Sequence, residues 1–183
     1  IGTHVVTRHN GRRQPLHTLA GGLCDYDVLQ EGLAVLGEYL AGYLPADRLR
    51  ILAARVVAAH MAVGEAKGAE IYSCLVDEHG IRSKDAFDTA VRAKRGGGLT
   101  KDALYLKGLE ELIAYLSHDD EFEILFLGKF GLKQLPSLQK LIDQGILHRP
   151  ELLPAYYDDE AARQRLAQAR KLPLKALYQE RPQ

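Results

Sequence analysis

The sequence predicts a mainly α protein, one helical unit over residues 1–183. Three observations carry this. Apolar residues recur at helical spacing through most of the chain, glycines and prolines fall where helices would stop and start, and no Ser/Gly or Pro-rich linker, low-complexity tract or internal repeat divides it.

Taken in order, Ile1 to about His9 read as the end of a helix stopped by Asn10-Gly11, and a loop rich in Gly, Pro and Arg follows. A second helix begins at Asp27 and runs to about Ala41. Asp27 and Gln30 have the spacing of a capping box, in which each side chain would satisfy a free amide at the other, and Gly42 closes the helix. Pro45 suits the first turn of a third helix to about Gly64, with Leu49, Leu52, Val56 and Val63 as its stripe and Ile51, Ala54 and Ala58 on the flanks; apolar on most sides, it is expected to be central, with His60 a core histidine. Helices over about 69–78 and 84–95 come next, the latter capped by Ser83 and ended by Gly96-Gly97-Gly98. Thr100 can cap a helix in which Leu109, Leu112, Ile113 and Leu116 recur. Phe122, Ile124 and Phe126 alternate, so a short strand near 121–127 is possible, although Leu125 and Leu127 blur the period. Pro136 starts a helix to about Gln144, and residues 159–170 read as a solvated surface helix before a frayed tail.

Length and composition narrow the function. The chain's 183 residues bury a core without disulfides, and 24 basic against 24 acidic residues exclude a basic nucleic-acid binder. The cluster Arg92, Lys94, Arg95 reads as a solvated face. Cys24 and Cys74 lack CxxC spacing and read as reduced thiols, and no apolar run is long enough for a membrane span or signal peptide, so a cytoplasmic, non-membrane protein is expected. The only methionine is Met61, which makes this chain a piece of a longer protein by expectation.

Among seven histidines, His4 stands apart because the next helix presents Glu31 in the run Gln30-Glu31-Gly32-Leu33-Ala34. A histidine on one helix and a carboxylate on the next is how many zinc peptidases assemble three protein ligands around an open position. Gly32 removes a side chain where two helices must approach closely. On the residues alone a plainer reading stands beside this one: a solvated histidine and a surface or capping glutamate, the commoner case in helical proteins. Residues 1–24 hold Arg8, Arg12 and Arg13 and no acid, a positive field beside His4. Arg8, one turn beyond His4, could grip a substrate carboxylate bidentately; the three arginines could equally be surface groups or pair with acids elsewhere. His17, Tyr26 and Tyr105 are candidate oxyanion donors, each also readable as structural. Lys101 and Asp102 suggest a loop lining a cleft, or simply a helix start.

The run Gln30 to Ala34 is the QEGLA signature, and Ile1-Gly2-Thr3-His4 is similar to the end of an HExxxH element. Arg95-Gly96-Gly97 with Thr100-Lys101-Asp102 and Tyr105-Leu106-Lys107-Gly108 form a second block, and Leu125-Phe126-Leu127-Gly128-Lys129-Phe130-Gly131-Leu132 a third. On these, from residue 1 to about 145, the sequence resembles the bacterial flavohaemoglobin-expression-modulating proteins, relatives of the eukaryotic microtubule-associated tyrosine carboxypeptidases. The resemblance implies the helical C-terminal portion of an HExxxH zinc-peptidase domain that hydrolyses the C-terminal residue of a peptide or protein, tyrosine in the eukaryotic branch. It implies zinc as cofactor, His4 and Glu31 as two of its ligands, and Arg8, Lys101 and Tyr105 as substrate-binding candidates. The first histidine and the general-base glutamate of HExxxH would precede Ile1, so the upstream part of the same protein is an implied partner and the 183 residues alone are expected to be inactive. Five residues at about 100° each set the two histidines about 140° apart on an ideal helix, which a π-bulge near Gly2-Thr3 would correct. A noncatalytic helical regulatory or interaction module is the alternative.

Overall fold

The computed structural model describes residues 2–95, 101–118 and 121–178, and it is mainly helical, with no sheet among them. In chain order the helices are α1 (Gly2–Arg13), α2 (Thr18–Gly21), α3 (Tyr26–Leu40), α4 (Ala46–Val63), α5 (Gly68–Ser73), α6 (Ser83–Lys94), α7 (Lys101–Leu116), α8 (Leu135–Asp143) and α9 (Glu160–Ala169). The chain forms two compact units, one of Ile1–Tyr43 with Lys107–Leu177 and one built on Leu44–Leu106. One boundary falls in the short turn Gly42-Tyr43-Leu44-Pro45 and the other inside α7, so neither leaves a long Gly, Ser or Pro-rich linker in the sequence.

In the first unit α3 buries Leu29, Leu33, Leu36 and Leu40, each at most 2% exposed, on a single stripe of successive helical turns. Leu109, Leu112 and Leu116 of α7 are fully buried, as expected from their spacing. Each such side chain contributes about 1.5–3 kcal/mol relative to exposure. Two glycines decide how closely α3 and α7 can pack: a Cβ on Gly32 would stand 2.4 Å from the Gly108 carbonyl, and one on Gly108 would stand 2.0 Å from the Val28 oxygen. The close approach expected at Gly32 is thus made to α7.

The first helix does not stop at Asn10-Gly11 but continues to Arg13. Asn10 is buried and acts as a tie: its Nδ2 donates to the Phe126 and Leu152 carbonyls, 2.8 Å each, and its Oδ1 accepts from the Leu152 amide at 3.1 Å. One turn on, Gln14 repeats the pattern on His148, donating to its carbonyl at 2.8 Å and accepting from its amide at 2.9 Å. Gly11 lies against the backbone of Leu19, where a Cβ would meet the carbonyl oxygen at 2.4 Å. Nor is there a capping box at Asp27 and Gln30. Helix α3 begins one residue earlier, with no side-chain cap, and Gln30 is buried against α1.

Residues 123–126 form a 3₁₀ helix and not a strand, because Ile124, Leu125, Phe126 and Leu127 are all buried and successive side chains must point in several directions at once. Pro136 lies in the first turn of α8 as expected, and α9 is capped by Asp159, whose Oδ1 accepts from the Ala161 amide.

The second unit packs α4 against α5 and α6. Its buried seam is small: Ala54, Ala58 and Ala62 of α4 meet Ala86, Ala90 and Ala93 of α6 around Ile71 and Leu75. The predicted Leu/Val stripe of α4 is therefore displaced, with Val63 57% exposed and only Leu52 of that set buried, because short side chains let these helices approach most closely. His60 is exposed rather than a core histidine. Helix α5 continues as a π-turn over Cys74–Glu78, and α6 starts with Ser83 inside the helix rather than as its cap. The triglycine stop and the Thr100 cap lie outside the described residues.

Candidate functional site

Helix α1 has two unlike faces. Thr3, Thr7, Asn10 and the following Gln14 are buried, while His4, Val5, Arg8, His9, Arg12 and Arg13 line an open cleft of about 610 Å³ together with Lys129. The Thr7 hydroxyl lies 3.0 Å from the Thr3 carbonyl and 2.7 Å from Gln30 Oε1, which fixes the register of α1 on α3.

This register brings the two predicted ligands together. His4 Nε2 lies 4.0 Å from Glu31 Oε1, with the imidazole 40% exposed and the carboxylate side chain 7% exposed. Zinc takes histidine nitrogen and carboxylate oxygen at about 2.0–2.2 Å, which at a tetrahedral angle separates the two donors by about 3.3 Å. A rotamer adjustment of less than an ångström closes the difference. A buried anionic oxygen facing a half-exposed imidazole from a neighbouring helix is a donor set that fits zinc, with room on the solvent side for further ligands. From Gly2 to Arg13 the backbone is α-helical.

The cleft is cationic. Arg13 pairs with Glu151 at 2.6 Å, whereas Arg8 and Arg12 have no carboxylate partner among the described residues. All three arginines are exposed and line the cleft, as surface groups, and Arg13 is in addition paired with an acid from elsewhere in the fold. Lys129 went unread in the sequence. Its carbonyl accepts from the Leu23 amide at 2.9 Å, its amide donates to the Leu19 carbonyl at 2.8 Å, and its Nζ sits 5.5 Å from the centre of the Tyr26 ring. Gly128 makes this possible, since a Cβ there would stand 2.8 Å from Leu19 Cβ. A lysine set between glycines in the third block, Gly128-Lys129-Phe130-Gly131, was the available signal.

Two further candidates of the first unit, His17 and Tyr26, are not among the residues lining this cleft. His17 is exposed at the start of α2, and Tyr26 reaches the cleft only through Lys129. Lys101 and Tyr105 belong to the second unit, as does Asp102, which accepts from Arg92 Nε at 2.7 Å; the Arg55 guanidinium lies 6.0 Å above the Tyr105 ring. Burial, then the neighbouring Arg92 and Arg48, lower the pKa of Arg55.

Comparison with known proteins gives the family. The model for the microtubule-associated tyrosine carboxypeptidases matches residues 1–172, and the chain belongs to that family. It is 29% identical to microtubule-associated tyrosine carboxypeptidase 1 of Mus musculus over 180 residues, covering 91% of this chain and 36% of the relative. The Rattus norvegicus protein of the same name is 28% identical with the same coverage. The chain therefore spans about a third of the length of these curated relatives. No solved structure gives a significant match. No helix among the described residues is long and apolar enough to cross a membrane.

Proposed function

We propose that the chain supplies two metal ligands and the carboxylate-binding cleft of a zinc metallocarboxypeptidase that removes the last residue of a peptide or protein. The observation that carries this is the 4.0 Å convergence of His4 and Glu31 at the edge of a cleft lined by Arg8, Arg12, Arg13 and Lys129. His4 offers Nε2 and Glu31 offers Oε1. The chemistry zinc supplies when bound in such a site is polarisation of the scissile carbonyl and acidification of water.

A carboxypeptidase must distinguish a chain end from a chain interior, and the free α-carboxylate is what differs. Arg8 lies one turn along α1 from His4, so a carboxylate held on its planar guanidinium presents the adjoining peptide bond toward the His4 end of the cleft. Arg12 and Lys129 extend the positive field and steer anionic chain ends toward that position. Glu31, held out of water by the α1–α3 packing, keeps its oxygen fixed toward the imidazole. The third ligand and the general base belong to the His-Glu pair that the family motif sets ahead of Ile1, so turnover requires that segment.

The test uses the full-length protein. Zinc content and release of the C-terminal residue from a peptide panel are measured for wild type, Glu31→Gln and Glu38→Gln, the last on the same helix two turns away. Metal and turnover lost in Glu31→Gln and kept in Glu38→Gln support the reading. Equal zinc and equal turnover in both variants overturn it, and a metal-free, inactive wild type favours the noncatalytic module.

A further inference from the structure

The second unit carries a cluster of a different kind. Cys74, Glu78 and His79 present one donor atom each, sulfur, oxygen and imidazole nitrogen, all within 4.8 Å of one another. Their spacing in sequence does not suggest this, since on an α-helix the residue five places on lies about 140° around the axis. The π-turn over Cys74–Glu78 changes the geometry. Where the backbone bond skips from i to i+5, the residues four and five places on both flank residue i on one face, and so Glu78 and His79 stand beside Cys74. The backbone beyond the turn is fixed from outside: Arg50 donates to the carbonyls of His79 at 3.2 Å and Gly80 at 3.3 Å. Beneath the turn Ile71, Leu75 and Ile81 are buried in the alanine seam.

The side chains suit a cation. Cys74 is half-buried, and Glu78 and His79 are exposed, so the latter two can swing while the sulfur stays anchored. The Cys74 thiol hydrogen-bonds the Glu78 carboxylate. Sulfur, carboxylate oxygen and imidazole nitrogen converging on one point are the donor types by which proteins coordinate a divalent metal.

We propose that Cys74, Glu78 and His79 form a second divalent-metal site, zinc by its mixed sulfur, nitrogen and oxygen donors, open to water at the fourth position and clamping the π-turn. Thiolate and imidazole together select a borderline-soft ion over magnesium or calcium. Zinc bound at about 2.0–2.3 Å draws the three donors to within about 3.3–3.7 Å of one another, a contraction of roughly an ångström that the exposed glutamate and histidine can make. The cation displaces the thiol proton to solvent, and its charge replaces the Cys74–Glu78 hydrogen bond as the link across the turn. This site stands independently of the carboxypeptidase reading, since it shares no residue with it.

The probe is Co²⁺ titrated into this chain under reducing conditions, read by the sulfur-to-cobalt charge-transfer absorption, followed by displacement with Zn²⁺. We expect a band saturating at one equivalent, abolished in Cys74→Ser, and at least tenfold weaker in apparent affinity in His79→Ala and Glu78→Gln. The band is retained in Cys24→Ser and in Glu31→Gln, and it is bleached by stoichiometric Zn²⁺. His79 is exposed, so His79→Ala keeps the test alive should Cys74→Ser fold poorly. Absence of a band, a band lost with Cys24 and kept without Cys74, an undiminished affinity in His79→Ala, or a band that Zn²⁺ does not displace overturns the proposal.

Discussion

Gly32→Ala sets two physical effects against each other, and the structure decides between them. By helix propensity alone the change gains about 0.8–1 kcal/mol, since Gly32 lies in the middle of α3. The added methyl, however, would stand 2.4 Å from both the carbonyl carbon and oxygen of Gly108 and 2.9 Å from the Leu109 amide. All three are backbone, so no rotamer relieves them, and α7 must retreat about an ångström to reach the 3.4 Å at which ordinary contact begins. Against unyielding backbone the cost lies toward the upper end of the range for overpacking, about 2–3 kcal/mol. The gap would also loosen Leu109 and Leu112, which are fully buried on the same helix. The net expectation is a loss of about 1–2 kcal/mol, a fall of roughly 2–8 °C in Tm for a chain of this size. Gly37→Ala is the internal control, because its Cβ would find only the Tyr156 ring at 3.4 Å and should be neutral or slightly stabilising. Thermal unfolding followed by circular dichroism, with and without zinc, measures both. A Gly32→Ala protein as stable as wild type would show that the two backbones are not in contact as described.

Thr7→Val keeps the shape of a fully buried side chain but removes the hydroxyl that meets Gln30 Oε1, and should cost about 1–3 kcal/mol in urea unfolding while weakening zinc binding in the full-length protein. Asn10→Ala breaks three hydrogen bonds to the Phe126 and Leu152 backbone and should lose about 2–4 kcal/mol, whereas Ala substitution at the neighbouring exposed His9 should change stability by no more than about 0.5 kcal/mol in the same assay. Arg8→Lys in the full-length protein retains the charge and loses the bidentate geometry, so steady-state kinetics should show KM rising about tenfold with kcat little changed; an equal fall in kcat would place Arg8 in the chemical step.

What the sequence made legible follows from where burial is apolar. The stripe of α7 announced itself because Leu109, Leu112, Ile113 and Leu116 are apolar at helical spacing and all buried. The inner face of α1 did not, because Thr3, Thr7, Asn10 and Gln14 look like a polar surface until their partners are seen across more than a hundred residues for Asn10 and Gln14. Asn10-Gly11 read as a stop for the same reason: locally it is one, and the long-range hydrogen bonds override it. Gln30 likewise gave up a local cap for a tertiary bond to Thr7. In α4 hydrophobicity pointed to Leu49, Leu52, Val56 and Val63, yet the alanines read as flanks, with Ala62, pack the seam, since contact there rewards smallness. His4 and Glu31 were found through the motif and not through periodicity, and their approach rests on a register that no local pattern encodes. Lys129 was missed because its position is set by backbone bonds to Leu19 and Leu23, which carry no side-chain signature.

The manner in which α1 is held at Asn10 and Gln14 has a further consequence. Both amides grip main-chain atoms of the segment from His148 to Leu152, while the side chains of His148 and Leu152 are themselves exposed. A grip on the main chain is indifferent to which residue occupies each place but not to how many places there are. Between residues 148 and 152 nearly any exchange leaves both clasps intact, whereas one residue inserted or deleted puts the two amides out of step and releases the helix that carries His4. This stretch is thus free to drift in spelling and held to a fixed count, and a relative's loop that differs here in letters but not in length preserves the seat of the histidine.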